Sequence, residues 1–151
     1  MKTKHADHAF TGEGARLHGG RWNTEGSAVI YTSATISLAV LELLVHLESA
    51  ALLSKYQLYS VEFEEKLVTI VDSRSLPKNW EVYPPPQSAQ QIGNQWVSAR
   101  TSAVLKVPSA IVPVEYHYLL NHEHPDFPQI RISRPRTFPI DPRLLHDKRS
   151  Y

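Results

Sequence analysis

The chain has no cysteine among its 151 residues. Disulfides, thiolate metal sites and a cysteine nucleophile are therefore excluded, and the absence fits a reducing compartment. Charge imbalance is missing too. Lys and Arg total 16 against 15 Asp and Glu, a net charge of +1, so no whole-molecule field draws the chain to nucleic acid or membrane. Nor is there a long hydrophobic run. The longest, Ile36 to Leu47, is interrupted by Ser37, Glu42 and His46 and is too short and too polar to span a bilayer. Met1 to Phe10 is polar and lacks the apolar centre of a secretory signal. The expected location is the cytoplasm.

Familiar catalytic motifs are absent as well. Gly12-Glu13-Gly14 is followed by Leu17 where a dinucleotide fingerprint has its third glycine, and it precedes the first legible strand rather than following it. There is no Gly-Lys-Ser/Thr phosphate loop and no Gly-x-Ser-x-Gly elbow. His117, His122, His124 and Asp126 invite a metal reading, but their spacing matches no helical pair and no His-Glu-x-x-His occurs. A polar loop is expected there, and no metal.

What is present is ordinary in bulk and unusual in detail. A hydrophobic fraction of 42% and a charged fraction of 21% suit one domain with a real core. Met1 to Asn23 reads as a polar, glycine-punctuated arm. Ala28 to Thr32 reads as a strand, and Ile36 to Leu47 as a helix capped by Thr32, Ser33 or Thr35. Apolar residues run nearly all round that helix, which predicts burial on most sides. Further strands are expected over Tyr56 to Phe63, Leu67 to Val71, Ala103 to Val107, Ala110 to Val114 and Gln129 to Ser133. Pro77 to Gln87 reads as an extended loop, Ser88 to Ala99 as a helix weakened by Gly93, and Pro135 to Asp147 as a proline-rich tail. Strands outnumber helices without alternating regularly, which gives an α+β fold.

Two features suggest chemistry. Gly19-Gly20-Arg21-Trp22-Asn23 places a guanidinium in a flexible turn where backbone N–H groups can approach an anion, with Arg16 as a second contact. Glu42 is a carboxylate set in an apolar helix, costly unless it has a partner or a task. A structural partner is available in His46, one helical turn on. Tyr31 lies between them, either packing across strands or offering its ring to a flat heterocycle. Trp22 reads as core. Ser109, after a proline, reads as a turn residue making a local hydrogen bond.

These residues carry a resemblance. Gly12-Glu13-Gly14-Ala15-Arg16, Gly19-Gly20-Arg21-Trp22-Asn23, Val29-Ile30-Tyr31-Thr32 and Leu38-Ala39-Val40-Leu41-Glu42-Leu43-Leu44-Val45-His46 resemble the RES domain, a family named for an arginine, a glutamate and a serine. Later blocks agree in order: Gly93-Asn94-Gln95-Trp96, Leu105 to Pro113, Tyr118 to Asn121 with His124-Pro125, and Asp141-Pro142-Arg143-Leu144. The resemblance covers nearly the whole chain, residues 1–151 as one RES domain. Members begin with a strand carrying a Tyr/Trp-Arg pair, which is not legible here before Gly12. His117 and His122 stand where relatives often carry Asn and Pro.

The resemblance implies a compact domain with an ADP-ribosyltransferase-like mixed β core and flanking helices. It implies the toxin of a bacterial toxin–antitoxin pair that depletes NAD⁺ by hydrolysis or phosphorolysis at the nicotinamide–ribose bond. The alternatives are an ADP-ribosyltransferase acting on a protein, or a non-catalytic partner-binding module in which Glu42 and Arg21 form a buried pair. The implied catalytic residues are Glu42, Arg21, Tyr31 and Ser109, with Arg16, Gly20, Arg21 and Tyr31 binding substrate. No cofactor is implied, NAD⁺ being substrate. The implied protein partner is an Xre-like antitoxin, through which alone the chain would meet nucleic acid, with a homodimer inside that complex and no membrane.

Overall fold

The computed structural model describes residues 9–46, 56–139 and 141–145. Three helices are present among them: α1 (Glu13–His18), α2 (Ile36–His46) and α3 (Gln87–Ala99). Eight strands follow the order β1 (Ile30–Ser33), β2 (Gln57–Leu58), β3 (Val61–Glu62), β4 (Val68–Ile70), β5 (Val104–Pro108), β6 (Tyr116–Leu120), β7 (Arg131–Ile132) and β8 (Arg136–Thr137). The fold is α+β, as expected.

Four strands form the central sheet in the order β1-β6-β5-β4. β6 runs antiparallel to β1 and β5, and β4 runs parallel to β5, so the sheet is mixed. β2 pairs with β8, and β3 with β7, in two small ribbons. Side chains alternate between the faces of a strand, and each face of the central sheet has its own core. Leu105, Val107 and Leu119 pack with Trp22, Ala89 and Trp96 on one side. Ile30, Val104 and Leu120 pack with Leu67, Ala103 and Ile130 on the other. Trp22 is core, as expected, and stacks on Trp80 with ring centroids 5.7 Å apart.

Several expectations need correction. The polar arm contains α1. Tyr56 to Phe63 is two short strands in different ribbons. Gln129 to Ser133 shrinks to Arg131–Ile132, and β8 follows it inside the supposed tail. Ala110 to Val114 is not a strand. The Ser109 hydroxyl accepts the N–H groups of Ile111 and Val112, each at 3.1 Å, which bends the chain before a ladder can form. The strand comes next, at Tyr116–Leu120.

The α2 helix is not buried on most sides. Leu38 is fully buried, but Ile36 is 42%, Leu41 40% and Val45 58% exposed. The reason is position. The helix meets β1, and β1 is an edge strand, so the sheet covers one side of the helix. The expected extension to Leu47 and the first residues, Met1 to His8, lie outside the described residues. Among the described residues, no helix is long and apolar enough to cross a membrane.

Candidate active site

The glycine turn is built to hold one shape. Asn23 is fully buried, and its Nδ2 donates to the carbonyls of Ala15, Thr24 and Ser27. Its Oδ1 accepts from the Tyr31 hydroxyl at 2.7 Å, and that hydroxyl accepts from the Trp22 N–H at 3.0 Å. A Cβ at Gly20 would stand 2.6 Å from the Tyr31 hydroxyl oxygen and 2.9 Å from Asn23 Oδ1, so glycine is required for this approach. Helix α3 clamps the turn from outside. Gln90 donates to the carbonyls of Gly20 and Asn23, and Asn94 exchanges bonds with Thr24. Gly93, costly in a helix on propensity alone, admits the Trp22 carbonyl, which would lie 1.8 Å from an added Cβ.

Arg21 projects from this turn. Its Nη1 donates to the carbonyls of Trp80 and Val82 at 2.5 and 3.1 Å, tying the turn to the proline-rich loop. Among the described residues its Nε and Nη2 make no hydrogen bond. Burial lowers the Arg21 pKa, and Glu42, Tyr31 and Glu81 act in the opposite direction without cancelling it. A guanidinium remains charged in neutral water all the same. Although Tyr31 is 39% exposed, its hydroxyl end is enclosed by Gly20, Trp22 and Asn23. Burial pushes that hydroxyl above the ordinary tyrosine range, against the opposing effects of the Trp22 N–H and the Arg21 charge.

Glu42 comes from α2, whose first turn is fixed by Thr35. The Thr35 hydroxyl accepts the Leu38 N–H at 3.1 Å and donates to the Glu115 carboxylate at 2.7 Å. Ser109 contributes here. It is fully buried at the end of β5, and its N–H donates to the Glu115 carbonyl at 2.9 Å. It thus braces the turn that presents Glu115 to the helix cap. No hydrogen bond among the described residues joins Ser109 to Arg21, Tyr31 or Glu42.

The Glu42 carboxylate meets His117, a residue the sequence reading placed only in a metal question and in a departure from the family pattern. His117 Nε2 lies 2.7 Å from Glu42 Oε1, and His117 Nδ1 lies 3.2 Å from the Ser33 hydroxyl. His46, the structural partner anticipated one turn on, stands farther away, 3.9 Å from Oε2. Burial raises the Glu42 pKa. The His117 hydrogen bond and the electrostatic influence of His117, His46 and Arg21 outweigh it, and the carboxyl ends below its ordinary range. It is therefore an anion at neutral pH.

The sheet thus brings Tyr31 and Ser33, two residues apart on one face of β1, beside His117 of the paired strand. Helix α2 adds Glu42, and the turn adds Arg21. Arg16 is not drawn in. It sits on the surface of α1, with a bidentate bond to Glu13 at 2.7 Å for each contact. His124 is used locally, its Nε2 3.1 Å from the Arg100 carbonyl and its Nδ1 accepting from the Asp126 N–H. Among the described residues no group of three or more His, Asp or Glu could hold a metal ion.

Comparison with known proteins agrees with this architecture. Residues 2–141 match the RES domain. A "Toxin Res" from Yersinia enterocolitica is 40% identical over 136 residues, 89% of this chain and 90% of that protein. A "Toxin Res" from Photorhabdus laumondii is 38% identical, covering 98% and 96%. A "Prs ADP-ribosylating toxin" from a Sphingobium strain is 35% identical, covering 90% and 86%. The crystal structure of the M. tuberculosis MbcT–MbcA toxin–antitoxin complex holds a chain of the same fold, with a TM-score of 0.70 at 18% identity, over 86% of this chain and 77% of that one. An arginine-bearing turn fastened to a mixed sheet and an acid on the helix after the edge strand accompany these matches, and the matches make the chain a toxin belonging to the RES domain family.

Proposed function

We propose that this toxin consumes NAD⁺ by breaking the bond between nicotinamide and ribose. The observation that carries the reading is the divided use of Glu42. One carboxylate oxygen is held by His117 at 2.7 Å, while the other has His46 at 3.9 Å and no closer partner among the described residues. An anion so placed suits a centre where positive charge develops.

The chemistry needs little else. Nicotinamide is positively charged in NAD⁺ and leaves neutral with the electron pair of the C–N bond. No general acid has to protonate it, unlike the leaving group of an ordinary glycoside. Glu42 would stabilise the oxocarbenium-like ribose directly or through a ribose hydroxyl. Arg21 would hold the pyrophosphate with the N–H groups its carbonyl partners leave free. Tyr31 would set its exposed ring against the nicotinamide end. Water attacking the anomeric carbon yields ADP-ribose, nicotinamide and a proton; phosphate yields the ADP-ribose phosphate and nicotinamide. In this reading Ser109 serves the scaffold of α2.

Transfer of ADP-ribose to a protein is the second reading, favoured by the 35% identity to the Sphingobium toxin. A non-catalytic role resting on a buried Arg21–Glu42 pair has no support in the geometry. Arg21 bonds to backbone carbonyls and Glu42 to His117. An antitoxin protein of Xre-like type is proposed as the partner, in keeping with the toxin–antitoxin complex that shares the fold.

The test is incubation of antitoxin-free protein with NAD⁺, with and without phosphate, followed by chromatography. Release of nicotinamide with free ADP-ribose or its phosphate is expected. Label appearing on a lysate protein instead selects the transfer reading, and NAD⁺ left intact by folded protein overturns both.

A further inference from the structure

We infer that His117 is a positioning residue for Glu42, its ring fixed by Ser33. The inference rests on the reading of Glu42 as the catalytic carboxylate. It assigns a task to two residues that the mechanism otherwise leaves unused.

The geometry is specific. His117 is 8% exposed and lies directly opposite Ser33 in the β1–β6 register. Its Nδ1 meets the Ser33 hydroxyl at 3.2 Å, and its Nε2 meets Glu42 Oε1 at 2.7 Å. An ionised carboxylate can only accept, so the ring must carry a proton on Nε2. A neutral ring then has a bare Nδ1, which accepts from the serine hydroxyl. Ser33 therefore selects the tautomer that donates to Glu42, as the outer hydrogen bond of a histidine generally does. His117 and Ser33 both sit on paired strands of a hydrogen-bonded sheet, while Glu42 rides on a helix with much of its surface uncovered. The rigid element locates the carboxylate carried by the less supported one. Fixing Oε1 in this way leaves Oε2 as the oxygen presented to substrate.

The titratable and charged groups that face Glu42 among the described residues are His117 from β6, His46 from its own helix and Arg21 from the turn. Arg21 bonds elsewhere and His46 is 3.9 Å away, so among the described residues His117 alone makes a short contact.

The test combines kinetics with nitrogen NMR of the histidine rings in the free toxin. His117→Leu should lower kcat about tenfold to a hundredfold, the range expected for losing a hydrogen bond to a charged group. KM should change by less than about threefold, since Arg21 and Tyr31 are untouched. His117→Gln, whose amide nitrogen reaches about as far as Nε2, should recover most of kcat. The wild-type spectrum should show His117 protonated on Nε2, and Ser33→Ala should admit the other tautomer. A bare Nε2 in wild type overturns the proposal whatever the variants do, including the case in which His117→Leu does not fold. Full kcat in His117→Leu with an inactive Glu42→Gln overturns the positioning role alone. Full activity in Glu42→Gln overturns the catalytic reading beneath it.

Discussion

Arg21 and Glu42 act on each other's charge without forming an ion pair. Each shifts the other's pKa, yet Arg21 bonds to the Trp80 and Val82 carbonyls and Glu42 to His117. Had they met directly, each would neutralise the other and leave little for the anionic substrate with a cationic reacting centre proposed above. Held apart, in the proposed reading, the guanidinium would remain available to phosphate and the carboxylate to the ribose.

Glu42→Gln keeps the shape of the side chain and removes its charge. Turnover should fall by about a hundredfold or more, the scale of losing one electrostatic stabiliser at a reacting centre. Nicotinamide release under saturating NAD⁺ measures it. The apparent affinity should change far less, because Arg21, read as the holder of the pyrophosphate, is untouched.

Arg21→Ala should act in the opposite sense. A rise in KM of about tenfold is expected before any comparable loss of kcat, since the residue is read as holding phosphate rather than the reacting carbon. It also frees two carbonyls that tie the proline-rich loop to the turn. A lower melting temperature should therefore accompany the kinetic change.

Acid should act on Glu42 later than on an ordinary carboxylate. Its pKa in the folded chain lies below the usual 4.5, through His117, His46 and Arg21 against burial. The stability it contributes is present above that usual value and is lost as pH falls through the lowered one. The acidic limb of kcat/KM should lie below about pH 4.5 in wild type and move upward in His117→Leu.

Alkali should act on Tyr31. Its hydroxyl is raised above the usual 10.0, chiefly by burial. A raised phenol contributes stability below the ordinary value, and that contribution disappears as pH climbs toward the folded one. In a spectrophotometric titration of folded protein between about pH 9 and about pH 11, Tyr31→Phe should leave the tyrosinate signal unchanged. The same variant strands the Trp22 N–H and Asn23 Oδ1, and should cost about 1–3 kcal/mol in denaturant unfolding.

Gly93→Ala should be the most disruptive small substitution. Alanine is the better helix former, but its methyl would meet the Trp22 carbonyl at 1.8 Å. Overpacking of this kind costs about 1–3 kcal/mol or more. Thermal unfolding should show a loss where propensity alone predicts a gain.

The parts of this site that were legible in the sequence are those coded locally. Glycines around Arg21 announce a turn, and a lone acid in an apolar helix announces itself by its cost. A cap for α2 is announced by the hydroxyls before the apolar run, though Thr32, Ser33 and Thr35 all qualify and the structure selects Thr35. The parts that were hidden depend on pairing between distant segments. His117 looks like one polar residue in Tyr116–Leu120, and nothing nearby tells that Ser33 lies across from it. Asn23 reads as a turn residue until the four hydrogen bonds of its side chain are seen. The β-branched run at Ala110–Val114 misled because the Ser109 hydroxyl takes backbone donors that a ladder would need. The exposure of α2 was concealed because composition shows how apolar a helix is, not how many neighbours its sheet edge supplies.

Gln90, Gly93 and Asn94 hold the Arg21 turn from a helix some 70 residues further along the chain. A genetic screen for harmless alleles should therefore gather hits in a stretch to which the proposed mechanism gives no part, and such hits would mark where the turn is anchored rather than what it holds.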